Sequence, residues 1–468
     1  MTSEELCFTP AVELARMIRE REVSPVEVTR TVLERAEALE PSLNAFVILM
    51  AEQAMADARA AESAVQSGAA LGPLHGVPVT IKDFNDIKGL PTCYGSNVMK
   101  NNIARDDSIV VKRLREAGAI VIGKTTGPDF GWKALGDSPL TGVTRNPWNT
   151  DHTPGGSSSG AAATIAAGVA PLALGSDGAG SIRVPAAFCG IVGLKPTLGR
   201  VPFPNQAPGY IAHNGPMTRT VADAALMLGV MAGPHGSDPL SCEGPAEDYL
   251  GKLQQGVQGL RVAWSPDLGF AKRVHPEVAR IAEDAARAFG KLGCTLEDAT
   301  PPWPSPKPII DDIWSAGMAG RHGRYLAQFE QQMDPGLVAC IRHGQAQPPD
   351  TLAQAQIRRT EWSQQTYPFF EQYDLLLTPS VAVPALKVNT LLPEDWEPHA
   401  WDWIEWAPFS FPFNLNGYPA ITVPAGFTSD GLPVGLQIVS RRFNDLGVLQ
   451  AAAAFEAACP WAQHRPAL

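Results

Sequence analysis

Three short segments of the chain collect the residue types that covalent acyl transfer requires. They are Gly76-Val-Pro-Val-Thr-Ile-Lys82-Asp83, Thr153-Pro-Gly-Gly-Ser157-Ser-Ser-Gly160 and Gly175-Ser-Asp177-Gly-Ala-Gly-Ser181-Ile-Arg183-Val-Pro185. A serine hydroxyl is a poor nucleophile until a base takes its proton. A lysine can be that base when burial disfavours its ammonium form and lowers its pKa towards neutrality. Lys82 follows the apolar run 77–81, a position that favours burial beneath the Gly/Ser-rich loops. Small residues before Ser181 let the chain turn backbone N–H groups onto one developing charge. The amides of Gly178, Ala179, Gly180 and Ser181 are the expected oxyanion hole.

Two other stretches match well-known motifs. Gly118-Ala-Ile-Val-Ile-Gly123-Lys124-Thr125 fits the phosphate-loop pattern letter for letter. Such a loop follows a strand and opens a helix. Here a helix over 109–117 comes first, Gly118 suits the position just past its end, and 119–122 reads as a strand, which disfavours nucleotide binding. Gly156-Ser157-Ser158-Ser159-Gly160 fits the G-x-S-x-G elbow, with Ser158 as the nucleophile of an α/β-hydrolase esterase. The elbow needs a hydrophobic strand directly before it, whereas Asn149-Thr-Asp-His-Thr-Pro-Gly155 is loop chemistry. Ser158 stays open as the alternative nucleophile.

Taken together, the three segments resemble the amidase signature family. The resemblance implies that Ser181 attacks the substrate carbonyl, that Ser157, held by a cis peptide bond after Gly156, relays protons, and that Lys82 is the base. Lys82 and Ser157 lie 75 positions apart, and Ser157 and Ser181 lie 24 apart. These separations are similar to the family's own. The likeness continues through Gly190-Ile-Val-Gly-Leu-Lys-Pro-Thr197, Gly215-Pro-Met217, Asp223 and Gly431-Leu-Pro-Val-Gly-Leu-Gln437. The family usually carries a β-branched residue and two glycines before the nucleophile, where this chain has Gly178, Ala179 and Gly180; a positive φ at Ala179 would reshape the hole. The implied activity is hydrolysis of amide C–N bonds, hydrophobic or aryl amides foremost, with esters and carbamates as further substrates and no cofactor. The family also contains the glutamine amidotransferase component that works on charged tRNA with partner subunits, and that reading stays open beside a free-standing hydrolase.

Other residues have plainer roles. Arg183 is expected to pair with Asp177 rather than with a substrate carboxylate. The nine histidines form no H-x-x-H or H-x-x-x-H cluster, so no metal site is expected. Cys189 reads as a buried apolar group rather than a second nucleophile. Trp401, Trp406 and Phe409 lie in an aromatic-rich stretch, and these three are the candidates for a hydrophobic substrate pocket.

The elements that must position these residues alternate in type. Helical spacing runs through 10–66, with Ser24-Pro25 as punctuation; strands are expected at 77–81, 119–122, 172–174, 373–378, 419–424 and 432–440, and an apolar helix at 161–170. With neither linker nor internal repeat, the expected fold is one large α/β domain over 1–468, a central mixed β-sheet covered by α-helices. Within it, 1–66 is a helical lead-in, 67–235 the signature core, 236–375 a variable helical substrate region and 376–468 the return to the core sheet. A hydrophobic share of 45% against 18% charged residues is globular composition, and the formal net charge of −11 disfavours direct nucleic-acid or anionic-membrane binding. Seven widely spaced cysteines without a C-x-x-C pair, and no export signal or membrane span, fit a reducing cytoplasm. The expected partner is a small-molecule amide; pairing into a homodimer stays open.

Overall fold

A computed structural model describes residues 1–204 and 209–468. Its strands are β1 (Phe46–Leu49), β2 (Pro78–Lys82), β3 (Ile120–Thr125), β4 (Asp137–Ser138), β5 (Gly142–Val143), β6 (Leu172–Asp177), β7 (Val192–Lys195), β8 (His213–Thr218), β9 (Arg261–Trp264), β10 (Thr295–Asp298), β11 (Leu375–Pro379), β12 (Ala420–Phe427) and β13 (Pro433–Ser440). Among the described residues, β4 and β5 form a separate small hairpin. The other 11 make one sheet in the order β1-β3-β2-β6-β8-β7-β12-β13-β11-β9-β10.

The sheet is mixed: β3, β2 and β6 run parallel, β6 to β11 through β8, β7, β12 and β13 are antiparallel neighbours, and β11, β9 and β10 are parallel again. Both faces are covered by helices, as alternation along the strands requires. In β11, Leu375 and Leu377 join one core while Leu376 joins another; in β9, Val262 and Trp264 face the first and Ala263 the second. The first core is sealed by the helices Ala11–Arg19, Ile109–Glu116, Val221–Met231, Pro276–Lys291 and Asp445–Ala458. The second is rich in aromatic residues and lies beneath the helices Lys307–His322, Pro335–Ala346 and Thr351–Thr366.

Local signals explain many element ends. Ser24 accepts a hydrogen bond from Val26 N–H with Pro25 at the first helical position, so the chain turns into the helix Pro25–Leu43 there. Gly118, at φ +90°, follows the helix Ile109–Glu116 and lets the chain enter β3 directly. The phosphate-loop lookalike is therefore a helix-to-strand turn. Its Lys124 is buried and pairs with Asp83 at 2.9 Å, while its Nζ also donates to Pro91 O.

Two expectations are corrected. The lead-in is not wholly helical, because Phe46–Leu49 forms β1 on β3. The region 236–375 is not wholly helical either: β9, the helix Pro276–Lys291 and β10 make a parallel β-α-β unit at the sheet edge. β7 and β8 were also not anticipated, since Val-Gly-Leu-Lys and His-Asn-Gly-Pro-Met-Thr carry Gly, Pro and polar residues where strand patterns call for alternating apolar ones.

Candidate active site

The carboxyl ends of parallel neighbours β2 and β6 bring two of the three segments together, with Ile81 opposite Leu174 in register. Such ends are where α/β sheets bind ligands. Lys82 is the last residue of β2, and Ser181 lies in the loop that leaves β6 after Asp177. Ser157 and Ser158 come in just ahead of the helix Ser159–Ala166, and the peptide bond between Gly156 and Ser157 is cis.

Lys82 is fully buried. Its Nζ lies 2.7 Å from Ser157 Oγ, 3.1 Å from Ser158 Oγ and 2.9 Å from Ser176 Oγ. Burial drives its pKa well below the ordinary lysine value, with Asp177 opposing. The Phe84 ring, 4.5 Å from Nζ, is a second opposing contact that favours the ammonium. A cation–π contact contributes about 0.5–2 kcal/mol, whereas burying a lysine can move its pKa by roughly 3–5 units, so desolvation wins.

Ser158, the alternative nucleophile, is buried with its hydroxyl committed. It donates to Ser176 O at 3.1 Å and accepts from Ser176 N–H and from Lys82. Ser181 differs: it lines the cavity, and its Oγ meets no hydrogen-bond partner among the described residues.

Asp177 sets the shape of the Ser181 loop. Its carboxylate accepts from Gly180 N–H at 2.7 Å, Ile182 N–H at 3.2 Å, Arg183 Nε at 3.0 Å and Asn414 Nδ2 at 2.9 Å. Burial alone would raise its pKa; the Arg183 guanidinium, the hydrogen bonds and Lys195 outweigh that and hold it below the usual carboxylate range. Arg183 is thus spent on Asp177, and on Ser410 O, Gln437 Oε1 and Asn414 Oδ1, as expected of a structural residue. Arg183→Met strands a buried carboxylate and is expected to lower unfolding free energy by about 3–5 kcal/mol, read from the urea midpoint at neutral pH. Because the Asp177 pKa is depressed by folding, this contribution is present above the ordinary aspartate value and fades as pH falls through the folded-state value.

The Asp177 contact also corrects the expected oxyanion hole. Gly180 N–H is already donated to Asp177, which leaves the amides of Gly178, Ala179 and Ser181 for a substrate oxygen. The positive φ falls on Gly180, at +119°, and not on Ala179. A Cβ at Gly180 would sit 2.5 Å from Ser410 Oγ, so the glycine is required there, while Ala179 fits with its methyl buried and its carbonyl accepting from Ser410 Oγ at 2.7 Å.

A cavity of about 460 Å³ opens over Ser157, Ser176, Gly178 and Ser181, walled by Phe84, Tyr94, Phe130, Phe203, Trp314 and Tyr325. Trp401, Trp406 and Phe409 are not on this wall, which corrects their assignment to a substrate pocket. They are buried in the aromatic core, where Trp406 stacks on Phe188 and donates to Leu391 O. Large rings in a run such as 401–413 are drawn into the core by their area; the small polar residues between them, Ser410 and Asn414, support the Ser181 loop. Of the true wall, Phe84 was detectable in principle because it is two residues past Lys82. Trp314 and Tyr325 carried no local signal.

Cys189 is buried, and burial pushes its thiol pKa up, as befits an apolar role. Among the described residues, no three His, Cys, Asp or Glu side chains gather as metal ligands, and no helix is long and apolar enough to cross a membrane.

A family model described as Amidase matches residues 27–449. An acylamidase of Rhodococcus erythropolis is 42% identical over 478 aligned positions, spanning 100% of this chain and 99% of the relative. A glutamyl-tRNA(Gln) amidotransferase component of Geobacter sp. (strain M21) is 35% identical across 96% of this chain and 97% of its own length. Among solved structures, a bacterial aryl acylamidase of the amidase signature enzymes superimposes with a TM-score of 0.91 at 31% identity, over 97% of each chain. Sequence, fold and the placement of the three segments agree, and the chain belongs to the amidase signature family.

Proposed function

We propose that the protein is a free-standing amidohydrolase that cleaves hydrophobic and aryl amides through an acyl-enzyme on Ser181. The observation that carries this reading is a fully buried lysine amine 2.7 Å from Ser157 Oγ at the foot of an aromatic cavity onto which Ser181 opens.

A neutral Lys82 amine has two N–H donors and one lone pair. Ser158 Oγ and Ser176 Oγ take the donors, which directs the lone pair at the Ser157 hydroxyl. Ser157 hands its proton to Lys82 as it takes one from Ser181, and Ser181 Oγ attacks the substrate carbonyl. Ser181 Oγ meets no hydrogen-bond partner among the described residues, so the relay closes on binding; hydrogen bonds of this kind commonly tighten only in the substrate complex. The amides of Gly178, Ala179 and Ser181 receive the oxyanion. Collapse needs a proton on the leaving nitrogen, since an amide anion does not leave, and the same Lys82–Ser157 chain delivers it. Water then resolves the acyl-enzyme by the reverse sequence. Esters and carbamates present the same carbonyl and enter the same scheme, and no cofactor takes part.

Similarity to the acylamidase and the aryl acylamidase supports an N-acyl substrate, and the aromatic wall supports an apolar or aryl group on it. Seven unpaired cysteines support a reducing cytoplasm as the working compartment, and the net charge of −11 supports a small molecule rather than a nucleic acid as the direct partner.

The purified chain alone is expected to release amine from anilides and apolar amides, and from carbamates more slowly, while leaving glutamine intact. Amine release across such a panel is the test. A chain inert to every small amide but active on glutamine once partner proteins are added would move the assignment to the amidotransferase reading.

A further inference from the structure

The helix Lys307–His322 runs along the cavity with Trp314 over Gly178, where a Cβ would come within 3.6 Å of its ring. His322 ends that helix eight residues later, roughly 12 Å further on at 1.5 Å per residue. The imidazole lies flat on Phe130, with ring centroids 3.9 Å apart, and lines the cavity although it is only 8% exposed. Its Nδ1 is sealed from solvent with no hydrogen-bond partner among the described residues. Nε2 is likewise unbonded but is not sealed, so it is the nitrogen with access to the cavity. A lone pair is cheaper to bury unpaired than an N–H, so the neutral ring carries its proton on Nε2 and offers the cavity one donor. Burial and the two neighbouring guanidinium groups lower the His322 pKa to about 3, which keeps the ring neutral at ordinary pH.

The charges at this end of the cavity are unequal. Arg321 and Arg324 both line it, and neither has a carboxylate partner among the described residues. Arg324 donates to the Tyr325 hydroxyl at 2.8 Å. Of the two carboxylates on the wall, Asp107 is neutralised by Arg115 at 2.9 Å, leaving Asp86 alone against two guanidinium groups. A desolvated N–H donor stacked on Phe130 beside surplus positive charge is complementary to an anionic oxygen.

We propose that His322, backed by Arg321 and Arg324, binds a carboxylate on the part of the substrate remote from the scissile bond, so that the preferred substrates are aromatic amides bearing a second, acidic group. This rests on the amide-hydrolase reading above and narrows it. The substrate pairs that test it match in shape and differ in the acceptor: 4-carbamoylbenzoate against 4-isopropylbenzamide, and 4-acetamidobenzoate against 4-isopropylacetanilide. In at least one pair the wild type is expected to favour the acid by about tenfold or more in kcat/KM, and His322→Phe, which keeps the ring stack and both guanidinium groups, should cut that ratio by about threefold or more. Arg321→Ala should lower turnover of the acid while sparing its methyl ester. The ratio within each variant is the readout, with circular dichroism to establish folding. A wild type without preference for either acid, a ratio unchanged in His322→Phe, or an ester treated as well as the acid overturns the proposal. Calorimetric binding of the same four compounds to Ser181→Ala separates the two readings. Absence of turnover with preferential, His322-dependent binding of the acid defeats only the hydrolase assignment, and turnover without that preference defeats only this inference.

Discussion

Ser181→Ala is expected to cut kcat/KM for an anilide by on the order of 10⁴- to 10⁶-fold while leaving the fold and substrate affinity nearly intact. The size follows from losing the covalent route altogether, so that only positioning and the oxyanion amides remain to assist direct attack by water. The clean structural background follows from the site itself: Ser181 Oγ has no hydrogen-bond partner among the described residues, so its removal strands no buried group. Rescue by Ser158 is not expected, because that hydroxyl is buried and committed to Ser176 and Lys82. Single-turnover kinetics with a chromogenic anilide measures the loss, and full activity in Ser181→Ala would transfer the nucleophile to another residue.

Lys82→Met is expected to be the second large loss, about 10²- to 10⁴-fold, and to change the pH profile as well as the rate. A base works only when unprotonated, so wild-type kcat/KM should rise with pH and level off well below the ordinary lysine pKa, because burial depresses the Lys82 value. In Lys82→Met that ascending limb should vanish. Stability carries the same signature. The folded chain holds Lys82 neutral where the unfolded chain would protonate it, so unfolding takes up a proton between the depressed value and about 10.4, and wild-type stability rises with pH through that window. The wild-type-minus-Lys82→Met difference in urea midpoint, followed from pH 7 to pH 10, should rise with this slope, because the similarly depressed Lys195 is common to both chains and cancels. A wild-type limb that keeps rising up to the ordinary lysine pKa, or an unchanged limb in the variant, would remove Lys82 from the base position.

The two substitutions probe one arrangement from opposite ends. Ser181 lines the cavity, whereas Lys82 is enclosed by hydroxyls and by the Phe84 ring. Low solvent exposure at the lysine and access at the serine are both needed: the first makes the amine a base near neutral pH, and the second lets a carbonyl reach the nucleophile.

What the sequence by itself determined is what depends on near neighbours. The runs before Lys82 and Asp177, the Ser24-Pro25 helix start and the Gly118 turn are set by side-chain periodicity and backbone sterics over a few residues, so strand, helix and turn were readable there. The same local chemistry marked the three segments and rejected the phosphate-loop lookalike. Tertiary structure alone decided the rest. β7 and β8 exist because the sheet interior demands hydrogen-bonded strands there, despite Gly and Pro in their sequences. The cavity wall draws on Phe84, Phe130, Trp314 and Tyr325, which are distant in sequence and meet only when the helix Lys307–His322 docks over the loops. Trp401, Trp406 and Phe409 looked like a pocket because hydrophobic area reads alike in a core and in a binding site; only packing tells which side faces solvent. The fate of Gly180 N–H was likewise invisible, since an amide's availability depends on where the Asp177 carboxylate points once Arg183 and Asn414 hold it. Spacing along the chain names the reactive groups, but burial and the direction of each hydrogen bond are properties of the folded whole.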